Sequence, residues 1–235
     1  MSEKKSGNDM MDMFEIEMPM NSTLELADPE LLEYWQDYSK RTLWLDVDIE
    51  DQVMRYVKCL YRWQREDEAK GIKPEDREPV IMLISSYGGD LHVCYAMIAA
   101  MKTYAGRIIT VNMGCAYSAA ALIFINGTKG YRFCMPYSSL LIHQGSSSGG
   151  GVATFAQAES GQKHYKELVE VMMKEIVLNA TNIDVKTYNK VKAKENYYYT
   201  KDMIELGMAD HVVESLSDIW NPNINDKVLE KKEED

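Results

Sequence analysis

From residue 79 onward the chain alternates between short apolar runs and segments of helical spacing, with turn residues at each junction. Residues 80–85 read as a buried-type strand, Gly88-Gly89 as a tight turn and 91–104 as a helix. Residues 107–113 read as a second strand, 118–126 as a second helix, and 132–134 and 139–143 as two further short strands. A β-turn-α succession of this kind implies an α/β domain and leaves little room for an all-helical or all-β alternative.

Composition narrows what such a domain does. The 235 residues suffice for one domain with extensions and a full core. A net charge of −11, with no Lys/Arg cluster free of acids, argues against a nucleic-acid partner. The longest nearly uncharged stretch, 108–129, is broken by Asn112, Gly114, Ser118 and Asn126, so it reads as buried core and not as a membrane span. Cys59, Cys94, Cys115 and Cys134 stand singly, with no C-x-x-C pair and no His at ligand spacing. They read as reduced thiols, which favours a cytoplasmic location over a disulfide framework or a metal site. Residues 1–12 are acidic and polar and show no signal or transit peptide.

Around the α/β region, residues 1–20 read as a Met-rich acidic arm. Residues 28–38 read as a short helix capped by Asp28 with Pro29 in its first turn, 42–47 as a strand and 51–65 as a helix. The charged stretch 66–78, with Gly71 and Pro74, reads as a solvated loop. Residues 144–151 (QGSSSGGG) have the composition of a flexible linker. A long helix over 153–179 then carries a stripe of Tyr165, Leu168, Val169, Met172, Met173, Ile176 and Val177 that needs a partner surface, in its own domain or in a neighbouring subunit. A helix over 184–193, the run Tyr197-Tyr198-Tyr199, a helix over 201–206, a last strand over 209–213 and a polar tail complete the chain. The expected division is an arm over 1–41, a domain over 42–219 and a tail over 220–235.

Three features suggest chemistry. Ser118 is followed at once by small helix formers, which places its hydroxyl at a helix start beside free backbone N–H groups. His143 closes an apolar strand, the position of a base. Gly88-Gly89 after a buried strand lets the backbone approach a ligand closely and turn an N–H toward it. A serine at a helix start is more often only an N-cap, and a lone His more often a core residue, so the residues by themselves leave both catalysis and a structural role open. The G-x-S-x-G elbow motif is absent. His92, His164 and His211 read as surface or packing residues, and the tyrosine run 197–199 as packing or subunit contact.

The segment Gly114-Cys115-Ala116-Tyr117-Ser118-Ala119-Ala120-Ala121-Leu122 resembles the nucleophile motif of the Clp protease proteolytic subunits, the ClpP family. The run from Arg132-Phe133 through Pro136 to Ile142-His143-Gln144 is similar to that family's histidine motif. Ser85-Ser86-Tyr87-Gly88-Gly89 resembles its glycine turn, and 203–210 its closing motif. The spacings agree as well, 29 residues from Gly89 to Ser118 and 25 from Ser118 to His143. The resemblance covers roughly 42–214.

It implies a ClpP/crotonase-like fold of repeated β-turn-α units with a protruding long-helix handle. It also implies a serine-type endopeptidase, with Ser118 as nucleophile, His143 as general base and the N–H groups of Gly89 and Ala119 as oxyanion hole. The family's third member, an Asp, aligns with Asn196, which gives an imidazole a partner but no charge. The implied assembly is a homo-oligomer of heptameric rings, stacked in pairs, that cuts short peptides without ATP and unfolded polypeptides with an AAA+ unfoldase. No metal or organic cofactor is implied. Ala119 in place of Met, Tyr87 in place of Pro, and Ile81 and Leu83 where aromatics help dock an ATPase are departures. A structural ring subunit with little activity, a crotonase-type acyl-CoA enzyme and a viral capsid-maturation peptidase of the same fold are the rival readings.

Overall fold

In a computed structural model, the structure describes residues 28–145, 154–191 and 194–220. The chain divides into two compact units, Met1–Gln36 and Asp37–Asp235. In the first, Asp28 Oδ1 accepts from the Glu30 N–H at 3.0 Å, starting α1 (Pro29–Ser39), the helix expected there.

The larger unit is a mixed α/β fold around a mostly parallel sheet. It runs through β1 (Thr42–Leu45), α2 (Met54–Ala69), β2 (Val80–Ser86), α3 (Leu91–Thr103), β3 (Ile108–Tyr117), α4 (Ala119–Ile125), β4 (Arg132–Cys134) and β5 (Ser139–Ile142). Next come α5 (Phe155–Lys166), α6 (Lys174–Ala180), α7 (Val185–Val191), β6 (Asn196–Tyr199), α8 (Thr200–Glu205), β7 (His211–Val212) and α9 (Ser217–Trp220). The sheet order is β1-β2-β3-β4-β7, all parallel, with β5 beside β3 and β6 antiparallel to β5. Both faces of β2 and the first half of β3 are buried, which explains their unbroken apolar runs.

β3 positions the site. Its first half pairs with β4, Thr110–Asn112 against Arg132–Cys134, and its last three residues pair with β5 instead. Between them the register with β2 shifts, from Ile84 opposite Asn112 to Ser86 opposite Ala116. Asn112 holds this irregularity together: its Nδ2 donates to Ser139 O at 2.9 Å and its Oδ1 accepts from the Gly114 N–H at 3.2 Å. The shift re-aims the strand, so β3 ends four residues beyond its expected limit, at Tyr117. All seven residues of α4 are buried, against α3, α6, β2, β3 and β5, which is why all of them, Phe124 included, are apolar.

Two expectations are corrected. The stretch 66–78 is largely solvated but is not a loop throughout: α2 continues to Ala69, and a short 3-10 turn spans Pro74–Asp76. Asp67 lies 1% exposed inside this charge run, accepting from Arg41 Nη1 at 2.7 Å, with the Arg77 guanidinium close by. Arg41 also donates to the Tyr104 hydroxyl and to Glu78 O. The long helix is interrupted as well. Between α5 and α6 residues Glu167–Met173 form a π-helical segment, whose displaced carbonyls accept from Tyr95 Oη (Leu168 O, 2.6 Å) and Tyr188 Oη (Val169 O, 3.5 Å). No residue of α5 is fully buried, but Tyr165 and Leu168 pack against the core and Val169, Met173, Val177 and Ala180 are buried in it; of the expected stripe Met172 is exposed. Residue 153, most of the Gly/Ser-rich 144–151 segment and residues 192 and 193 lie outside the described residues.

Candidate active site

Ser118 stands between the end of β3 and the start of α4 with φ 54 and ψ −121. A non-glycine residue there carries backbone strain of about 1–3 kcal/mol, tolerated where the surroundings over-determine it. Here the Ser118 N–H donates to Leu141 O at 2.9 Å, and Ala119 after it is fully buried. The serine side chain makes no capping bond. Its Oγ lies 2.8 Å from His143 Nε2 instead. This is the strained strand-to-helix elbow that the G-x-S-x-G motif builds, made without its glycines. Ala116 and Ala120 stand in their places, both fully buried, and that pair of small residues is the signal of the elbow in the sequence.

The glycine turn completes the elbow. Gly88 has φ 100, and a Cβ there would fall 2.8 Å from Ser118 Cβ and 3.0 Å from the Ala119 nitrogen. Only glycine lets this backbone lie against the serine. The turn is pinned from below: Ile49 N–H donates to Gly88 O at 2.8 Å and Asp90 N–H to Ile49 O at 2.7 Å. That parallel bridge uses the residues either side of Gly89 and leaves the Gly89 N–H turned away from Ile49. Ala119, first in its helix, likewise has no carbonyl four residues back within the helix. Among the described residues neither N–H has a protein acceptor.

His143 follows β5, whose Ile142 is paired with Asn196 of β6. The Asn196 side chain is not hydrogen-bonded to His143: its Nδ2 donates to Val191 O at 2.6 Å and Lys194 O at 2.8 Å, closing the turn that leads into β6. The residue expected to orient the imidazole therefore neighbours it through the strand pairing only. Beyond His143 the chain is tied to the long helix, Gln144 Nε2 donating to Glu170 Oε1 at 3.0 Å and Tyr165 Oη reaching Gln144 O and Gly145 O.

Ser118, His143 and Gly89 open into one cavity of about 440 Å³. Its other walls include Leu91, Leu122 and Met173, and the tyrosines 87, 117 and 197. No Asp, Glu, Lys or Arg among the described residues lines it. Among the described residues no cluster of three or more His, Cys, Asp or Glu could hold a metal, and no helix is long and apolar enough to cross a membrane. Cys59, Cys94 and Cys134 are buried free thiols; burial pushes Cys134 up to about 11 and Cys94 higher still. Of the remaining histidines, His92 and His164 stack on each other and His211 bonds Gly130 O.

A strained serine against an imidazole, with two unpaired N–H groups beside it, is the equipment of nucleophilic acyl transfer. The Clp protease family model matches residues 38–216, and the chain belongs to that family. It is 33% identical to the ATP-dependent Clp protease proteolytic subunit of Bdellovibrio bacteriovorus over 59% of this chain and 65% of that subunit. It is 30% identical to proteolytic subunit 2 of Treponema denticola, covering 60% of this chain and 70% of the relative. With the subunit of Mesostigma viride it shares 25% identity over 77% of this chain and 75% of the relative.

Proposed function

We propose that this chain is a serine endopeptidase subunit that cuts peptide bonds inside a ring chamber. The observation that carries the reading is the 2.8 Å bond between Ser118 Oγ and His143 Nε2 on a strained elbow. The Ser118 oxygen attacks the peptide carbonyl while His143 Nε2 takes its proton. The N–H groups of Gly89 and Ala119 hold the oxyanion. Collapse of the intermediate breaks the C–N bond, with His143 returning the proton to the leaving amine. Water, deprotonated by the same imidazole, then releases the acid and restores Ser118. Asn196 acts as a positioning residue, fixing β6 against the strand that carries His143. Family membership supports homo-oligomeric rings in the cytoplasm, an AAA+ partner for folded substrates, and a peptidase domain over 42–219 between an N-terminal arm and a polar tail.

A second reading is favoured by one observation, the absence of an Asn196–His143 hydrogen bond: a ring subunit of mainly structural use, beside an active partner. Fluorophosphonate labelling of the full chain, read by intact mass beside Ser118→Ala, separates the two. Labelling of the wild type alone is the expected result. An unlabelled protein that still forms a ring in solution would replace the peptidase reading with the structural one.

A further inference from the structure

Three tyrosine rings form a row along one wall of the cavity at Ser118. Tyr87 meets Tyr117 edge-on, centroids 5.7 Å apart with 66° between planes, and Tyr117 meets Tyr197 at 5.6 Å and 84°. The rings come from three separate segments: the turn after β2, the last residue of β3, and edge strand β6. The middle ring is fixed, its hydroxyl 2.7 Å from Ser139 Oγ. The outer two are open, Tyr87 at 74% and Tyr197 at 49% exposed, and neither hydroxyl has a hydrogen bond among the described residues. Solvated ring faces beside a nucleophile are unspent apolar surface, which an incoming group can cover.

Their position says which group. A scissile carbonyl above Ser118, its oxygen toward Gly89 and Ala119, carries one substrate side chain on each side of the bond. Tyr87 and Tyr117 immediately precede Gly88 and Ser118, whereas Leu91 and Leu122 follow them by three and four residues. Both pairs line the same cavity. The cavity thus offers a substrate two kinds of surface, tyrosine faces and edges, and aliphatic groups. With no Asp, Glu, Lys or Arg in the lining among the described residues, neither surface suits a charged side chain.

We propose that the Tyr87–Tyr117–Tyr197 row is a specificity subsite that takes a flat aromatic side chain of the substrate next to the scissile bond. This rests on the peptidase reading. An aromatic ring entering the row extends its edge-to-face series, which an aliphatic chain of equal area does not do. Tyr87 is the residue to vary, because it is the most exposed ring and holds nothing else in place.

The experiment uses the full chain with a library of short peptides, which need no unfoldase, and maps the cuts by mass spectrometry. The expected result is aromatic residues enriched about tenfold at one position beside the cut. Tyr87→Ala is expected to remove most of that enrichment and leave the preference on the other side of the cut unchanged, while Tyr87→Phe retains it. Cuts with no aromatic enrichment, or enrichment indifferent to Tyr87→Ala, would overturn the subsite alone. A wild type that takes no fluorophosphonate and cuts nothing fails the peptidase reading, and the subsite falls with it.

Discussion

The two halves of β3 are built on opposite principles. Beside the first half lies a polar hub in which every group is answered. Arg132 Nε and Nη2 grip both oxygens of Asp210 at 2.8 and 2.7 Å, and Nη1 donates to Ala180 O and Ile125 O, the last carbonyls of α6 and α4. The Gly130 and Arg132 N–H groups complete the carboxylate. At the other end Ser118 is strained, two N–H groups point at nothing, and two tyrosine rings face solvent. Stability is concentrated where partners are satisfied, and reactivity where they are withheld, the division expected when a functional site is held by the scaffold around it.

Substitutions at the two ends are therefore expected to fail in different ways. The largest effect on activity short of Ser118 and His143 themselves belongs to Gly88→Ala. The new methyl would lie 2.6 Å from Tyr117 O and 2.8 Å from Ser118 Cβ, at a φ of 100 that alanine resists. Displacing the Ser118 elbow and the adjoining N–H groups is expected to lower kcat/KM by about 10²–10³, the cost of one lost oxyanion donor. Steady-state peptide hydrolysis checks this, and an active Gly88→Ala enzyme would show that the elbow has slack.

Next is the hub. Asp210→Asn leaves the Arg132 guanidinium buried without its charge partner, at an expected cost of about 3–5 kcal/mol. For a chain of this size that lowers Tm by roughly 10 °C. Fluorophosphonate labelling at low temperature is expected to persist, since nothing at Ser118 is touched. A variant that melts with the wild type would remove the hub from the account of stability.

The same carboxylate sets a pH dependence. Burial alone would raise Asp210, but the hydrogen bonds and charge of Arg132 outweigh it and hold the carboxyl below its usual range. Asp67 is lowered chiefly by its hydrogen bond from Arg41. A carboxylate depressed by folding stabilises the native state above its unfolded value, near about 4, and that stability is lost as pH falls through the folded value. Tm is expected to be flat above about pH 5 and to drop below about pH 4, less steeply in Asp210→Asn. Calorimetry across that range decides it; equal slopes in the two proteins would break the link to Asp210.

How much of this was readable beforehand follows the same division. Order and type of the elements from β2 to β5 were legible because apolar runs and turn residues are local signals. The meeting of Ser118 with His143 was legible through motif spacing. Asp67 was not, because its partner Arg41 lies 26 residues upstream and a buried acid inside a charge run looks like surface. The π-helical segment was not, since it depends on hydroxyls from α3 and α7 reaching its carbonyls. That Tyr197 lines the Ser118 cavity was not, because it depends on β6 folding back beside β5.

Asn196 is the finest test, and the smallest effect. A residue that oriented the imidazole directly would cost about 10⁴ in kcat when lost, as removal of a triad acid does elsewhere. Here the amide is committed to Val191 O and Lys194 O, so Asn196→Ala removes two turn bonds, worth about 1 kcal/mol each. The expected outcome is a fall of about threefold to tenfold in kcat/KM, from a looser β6, with the midpoint of the pH–rate profile unmoved. Asn196→Asp, which has no N–H to give those carbonyls, is expected to lose at least as much. A loss beyond about a thousandfold in the alanine variant, or a gain in the aspartate one, would place Asn196 on the His143 ring during turnover.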